Sequence, residues 1–183
     1  MVDDGSTDGT DEPDGEPIEL PGDVAVERAV SDEIDALVDL WVDLATDQQQ
    51  HGSHLRADAN RPPIRETMLQ HVVSGTVIVA RRGDEAVGFV TFGPESGRYQ
   101  QTARRGMIHN IYVRPADRGV GIGSALLERA EAMLDSMGVD LIGLESMAEN
   151  DAARSFYRRH GYCPHRIELE KPINDDPVGS DDG

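Results

Sequence analysis

Arg118-Gly119-Val120-Gly121-Ile122-Gly123 stands between the strand-like run Ile108-His109-Asn110-Ile111-Tyr112-Val113 and a long amphipathic stretch. Closely spaced glycines let backbone N–H groups approach an anion where a helix begins, and the partial positive charge of the helix N-terminus holds it there. The hexapeptide therefore points to a phosphate-bearing ligand. A dinucleotide fingerprint requires G-x-G-x-x-G, and a P-loop requires G-x-x-x-x-G-K followed by Ser or Thr. Counting from Gly119 the third glycine position holds Ser124, counting from Gly121 it holds Leu126, and no lysine follows Gly123. What remains is Arg-x-x-Gly-x-Gly on a strand, a loop and a helix. A glycine-rich helix start without a ligand fits the hexapeptide about as well, so the rest of the chain has to decide.

With 183 residues, 38% of them hydrophobic, the chain suits one ordinary domain with a substantial core, and no apolar run is long enough to cross a membrane. The start Met1-Val2-Asp3-Asp4-Gly5 lacks the basic and apolar segments of a signal peptide, so a cytoplasmic location is the expectation. The single cysteine, Cys163, excludes an internal disulfide and a cysteine-rich metal site, and an isolated thiol is expected to pack as a small hydrophobe. No metal is expected.

The formal charge is −18; residues 1–17 hold seven acids and no bases and residues 174–183 four acids and no bases, which leaves −7 for 18–173. Both ends read as disordered acidic tails around a domain at 18–173. The bases comprise sixteen arginines and one lysine, Lys171. This lysine-poor, acidic composition resembles proteins of salt-loving (halophilic) organisms, where charge supports solubility. Attraction of a cationic amine is the competing account of the acidity, and high salt screens it. Such a charge argues against nucleic acid as a partner.

Val24–Arg28 alternates as a short strand. Ser31 offers a cap for a helix with Ile34, Leu37, Val38, Trp41 and Ala45 on one side and Asp35, Asp39 and Asp43 on the other. A second helix opens at Pro62-Pro63 and runs towards Gly75. Thr76–Ala80 and Ala86–Phe92 form a hairpin about Gly83-Asp84, and a loop from Gly93 to Arg105 precedes the strand Ile108–Val113. The helix after the glycine motif ends at Gly138. Leu141–Ser146 is the next strand, Asn150 caps a helix running to His160, and Arg166–Glu170 is a final alternating strand. Hairpins early and crossover helices late predict an α/β fold with a mixed, mostly antiparallel central sheet flanked by helices.

This order, together with Arg118–Gly123 and a second motif, Leu144-Glu145-Ser146 to Asn150 followed by Phe156-Tyr157-Arg158-Arg159-His160-Gly161-Tyr162, resembles the GCN5-related N-acetyltransferase (GNAT) superfamily from about Val24 to Lys171. The resemblance implies acetyl-CoA as cosubstrate, bound where the parallel strands Ile108–Val113 and Leu141–Ser146 splay apart. It further implies that the backbone of Ile111 and Val113 pairs with the pantetheine. The pyrophosphate would lie on the amides of Arg118, Gly119, Val120, Gly121, Ile122, Gly123 and Ser124, and Asn150 would contact CoA.

The implied reaction is attack of a neutral primary amine, on a small molecule or a peptide or protein, in a ternary complex. It needs a base, an oxyanion donor and an acid for the thiolate. Tyr157 matches the family's acid. Glu145 and His109 are the candidate bases, and a water chain from either would serve. By alternation His109 lies on the same side of its strand as Met107, Ile111 and Val113. His51, His54, Tyr99, Arg104 and Arg105 fall in segments near the acceptor side and read first as solvated loop residues. The alternative function is a catalytically inactive acyl-CoA-binding sensor or regulatory module. A homodimer is one assembly the resemblance allows, and no membrane partner is expected.

Overall fold

Five strands form one sheet in the order β1 (Val24–Arg28), β2 (Val77–Arg82), β3 (Glu85–Pro94), β4 (Arg105–Val113), β5 (Leu141–Leu144) in the computed structural model, which describes residues 20–95 and 102–173. Helices α1 (Ile34–Gln49) and α2 (Arg61–Ser74) lie between β1 and β2 in sequence, α3 (Ile122–Ser136) links β4 to β5, and α4 is Asp151–Arg159. The first three pairings are antiparallel and β4 with β5 is parallel, because a two-residue turn at Gly83-Asp84 reverses the chain whereas α3 carries it back over the sheet. The chain divides into two compact units, one up to Met147 that contains the sheet and α1–α3, and one from Ala148 that contains α4. Among the described residues no helix is long and apolar enough to cross a membrane.

The central strands β2–β4 are buried on both faces. On one, Leu37, Leu40, Trp41 and Leu44 of α1 and Met68 of α2 form a core with Val77, Val79, Phe89 and Tyr112. On the other, α3 presents Ile122, Leu126, Ala130 and Leu134, all fully buried. Leu134 meets the sheet at Gly106, where an added Cβ would lie 2.7 Å from its Cδ2. Each fully buried Leu or Phe contributes about 1.5–3 kcal/mol, which outweighs the surface charges. Those charges are nevertheless ordered: Asp35 and Asp39 on the outer side of α1 pair with Arg65 and Arg61 of α2.

Four expectations change. Helix entry is closed not by Ser31 but by the Val30 N–H donating to Glu33 Oε2 at 2.8 Å. The expected loop from Gly93 to Arg105 is shorter, because the Glu95 N–H donates to the Arg105 carbonyl at 2.7 Å and extends the β3–β4 ladder. The strand expected over Leu141–Ser146 stops at Leu144. Arg166–Glu170 forms no strand, and Ile167 and Leu169 are 84% and 88% exposed. Alternation marks a segment able to bury one face, but a strand also needs a neighbour for its peptide groups.

Candidate active site

β4 and β5 pair from Arg105 with Leu141 to Ile108 with Leu144, and no further. β4 continues to Val113, held on its other side by β3, so its edge towards β5 is open from His109 onwards. The Arg114 N–H donates to the Val87 carbonyl at 2.9 Å, and the Tyr112 carbonyl faces Gly88 of β3. Peptide groups alternate along a strand, so those of Ile111 and Val113 point to the open edge. The Val113 carbonyl there accepts a hydrogen bond from Arg118 Nε at 2.8 Å.

After a single 3₁₀ turn, Pro115–Asp117, the chain reaches the glycine loop. Gly119 and Gly121 have φ of 82° and 91°, in the left-handed region that excludes most side chains, and an added Cβ at Gly119 would meet nothing. Conformation rather than space therefore requires glycine at 119. Gly121 is the N-cap of α3, with no side-chain cap, and its carbonyl accepts the first helical bond from the Ala125 N–H at 3.0 Å. The first N–H groups of such a helix have no intrahelical acceptor. Arg118 is tied into the surrounding structure: besides Val113 it pairs with Asp47 of α1 at 2.8 Å, and its Cζ lies 5.4 Å from the Tyr112 ring centroid. Nothing local in the sequence marks Asp47 as its partner.

His109 departs from simple alternation. Thr91 pairs with Asn110 and Phe92 with Ile108, which leaves His109 as the extra residue of a β-bulge. Gly93 brings the His109 Nε2 within 3.8 Å of an added Cβ, and the His71 ring of α2 lies 6.0 Å away, so His109 faces the α1/α2 side. Val113 instead stands beside Gly88 and Leu126 of α3. The expectation that His109 shares a side with Ile111 and Val113 is thus corrected, because the bulge shifts the alternation by one residue. Asn110, beside it, donates from Nδ2 to the buried Thr91 Oγ1 at 2.8 Å.

Glu145 is exposed and immediately follows the end of β5. In the second unit, Asn150 Oδ1 caps α4 by accepting the Ala153 N–H at 3.0 Å. Tyr157 is half-buried; its ring lies 5.4 Å from Phe156 and 6.0 Å from Tyr162, and its carbonyl accepts the Tyr162 N–H at 3.0 Å. Burial pushes the Tyr157 phenol up to about 12, so it is protonated at neutral pH. Cys163 is exposed rather than packed.

The remaining candidates separate. Arg105 is no solvated loop residue but lies in β4, paired with Glu95 at 3.0 Å. Arg104 is exposed, with a loose ion pair to Asp140 at 3.8 Å, and His54 is exposed while His51 is half-buried. Tyr99 lies outside the described residues. The sequence reading missed His71, because a histidine in the last turn of a helix carries no local sign that a strand histidine will face it.

Comparison with known proteins agrees with this geometry. The Acetyltransferase (GNAT) family matches residues 34–162. A mycothiol acetyltransferase of Beutenbergia cavernae is 39% identical over 71 residues, 39% of this chain and 24% of that protein. N-alpha-acetyltransferase 30 of Schizosaccharomyces pombe is 32% identical over 88 residues, 48% of this chain and 57% of that protein. These matches span about a quarter and somewhat over half of the two relatives' lengths. A "predicted acetyltransferase" of Clostridium acetobutylicum, crystallised with acetyl-CoA, superposes with a TM-score of 0.64 at 19% identity, covering 82% of this chain and 96% of that one, and shares its fold. The open β4 edge, the left-handed glycine loop at a helix start and the match over 34–162 establish that this chain belongs to the Acetyltransferase (GNAT) family.

Proposed function

We propose that the protein transfers the acetyl group of acetyl-CoA to a primary amine of a small molecule or of a peptide or protein. The carrying observation is the end of the β4–β5 ladder at Ile108 and Leu144, which leaves an open backbone edge beside the helix start at Gly121. When bound, acetyl-CoA supplies the activated acetyl group.

The chain's part is to bind, orient and move protons. Backbone groups of Ile111 and Val113 bind the pantetheine, with the Val113 carbonyl shared with Arg118. Amides from Arg118 to Ser124 receive the pyrophosphate, aided by the dipole of α3. In the second unit, Asn150 contacts CoA and the Tyr157 phenol returns a proton to the departing sulfur. Glu145 or His109 removes the ammonium proton of the acceptor; each directly follows the last residue of its strand that pairs across β4 and β5.

The test follows free thiol on mixing the protein with acetyl-CoA and polyamines, aminoglycosides, small amines or N-terminal peptides, with thermal stability measured with and without CoA. Amine-dependent thiol release is expected. Stabilisation by CoA with no release in any arm supports the acyl-CoA-binding sensor instead, and no stabilisation overturns both readings.

A further inference from the structure

The face of the sheet that carries α1 and α2 holds two imidazoles side by side. His109 is brought there by the bulge in β4, and His71 by the last turn of α2, with ring centroids 6.0 Å apart and planes tilted by 49°. That distance lies within reach of a hydrogen bond relayed by one water.

His71 is anchored from behind. Its Nδ1 is 2.8 Å from Thr76 Oγ1, which is 2.7 Å from Ser74 Oγ, and Ser74 Oγ is 2.9 Å from the Gln70 carbonyl. A carbonyl only accepts, so Ser74 donates to Gln70. Thr76 then donates to Ser74, and His71 donates from Nδ1 to Thr76. The chain of bonds leaves the Nε2 of neutral His71 as an acceptor. Thr76 is buried and its backbone is fixed at both ends, its N–H donating to the His71 carbonyl at 2.9 Å and its carbonyl accepting the Phe92 N–H at 3.1 Å.

We propose that His109 is the general base and that His71 is its positioning residue, offering the Nε2 lone pair to a His109 N–H so that the other His109 nitrogen faces the acceptor amine. The proton taken from the ammonium ends on His109, and His71 stays neutral throughout. This rests on the acetyl-transfer reading above and chooses between its two bases. Burial pushes the His71 imidazole below the ordinary histidine value, and the neighbouring His109 pushes it further, which together outweigh the opposing effect of the Thr76 backbone. Charged groups on the elements around the pair are Arg105 of β4, paired with Glu95 just past the end of β3, Arg28 of β1, whose guanidinium lies 3.3 Å from a Cβ added at Gly75 after α2, and Glu145 just past β5.

Four full-chain variants test the pair, using acetyl-CoA and whichever amine the wild type acetylates. His71→Phe keeps a ring without an acceptor and should lower kcat about tenfold while the KM for acetyl-CoA stays within about twofold; His71→Gln restores an acceptor and should recover most of the rate. His109→Gln should cost at least as much as His71→Phe, and adding His71→Phe to it should cost no more. Thr76→Val, which removes the anchor, should lower kcat in the same sense should His71→Phe fold poorly. Nitrogen-15 NMR of the imidazoles gives an activity-free readout: neutral His71 carries its proton on Nδ1, and its titration midpoint rises in His109→Gln.

A wild-type rate in His71→Phe, equal losses in the Phe and Gln variants, full activity in His109→Gln, or a proton on His71 Nε2 overturns the proposal. Failure of the acetyl-transfer reading looks different. The wild type then acetylates no amine, which removes the catalytic role, while the tautomer and the midpoint still decide whether the pair is coupled.

Discussion

Ile108 of β4 and Leu144 of β5 are the last residues paired across the parallel strands, and His109 and Glu145 are the residues that follow them. A single register position therefore sets both the start of the open backbone edge and the place of the two candidate bases. Backbone groups seldom stay unpartnered when buried, so an edge opened inside a sheet invites an extended ligand.

Gly121 should tolerate no side chain. Its φ of 91° and its place at the start of α3 make Gly121→Val costly by about 1–2 kcal/mol and displace the amides of the first turn. The expected outcome is a KM for acetyl-CoA raised about tenfold with kcat less affected, checked by steady-state kinetics and by a smaller CoA-induced rise in Tm.

Tyr157→Phe should lower kcat by about 10²-fold and leave the CoA-induced rise in Tm unchanged, since the change removes one proton and little packing. The phenol also links stability to pH. Its value rises from 10.0 in the unfolded chain to about 12 in the fold, so the native state holds the proton more tightly. This contribution is full below pH 10 and is lost as the pH rises through about 12. Urea titrations of wild type and Tyr157→Phe should keep a constant difference below that window, and within it wild type should lose stability relative to the variant.

Asp47→Asn should loosen the glycine loop from a distance. Arg118 would keep its bond to the Val113 carbonyl but lose its carboxylate partner at 2.8 Å. The pair is partly exposed, so global stability should change by less than about 1 kcal/mol. A KM for acetyl-CoA raised a few-fold at constant kcat is expected, and an unchanged KM would show that the pair does not position the loop.

Glu33 should make the protein acid-sensitive. Burial pushes its carboxyl up, but the bonds from Arg81, at 2.5 and 2.7 Å, and from the Val30 N–H prevail and hold it below the ordinary value. The stabilisation is present above the unfolded value of 4.5 and is lost as the pH falls through the lowered native value. Glu33→Gln should therefore lower Tm at pH 7, by an amount equivalent to about 1–3 kcal/mol, and the difference from wild type should shrink below about pH 4.

The amino-acid sequence by itself determined most of the elements and several of their limits. Val24–Arg28 is the first strand at both ends, Gly75, Gly138 and Gly161 each take positive φ just after a helix, and the apolar stripe of α1 from Ile34 to Ala45 is buried. Such features depend on φ/ψ preference and on periodicity within a few neighbouring residues. The family was legible for the same reason, since both motifs are local.

Tertiary structure alone decided the rest. The side on which His109 lies depends on Thr91 and Phe92, its ring partner is 38 positions earlier at His71, and the partner of Arg118 is 71 positions earlier at Asp47. Arg166–Glu170 shows the same limit from the other direction: its alternation is sound, yet a strand is a relation between two segments. Periodicity is a property of one segment, whereas register, ion pairing and the meeting of two imidazoles are set when distant segments pack.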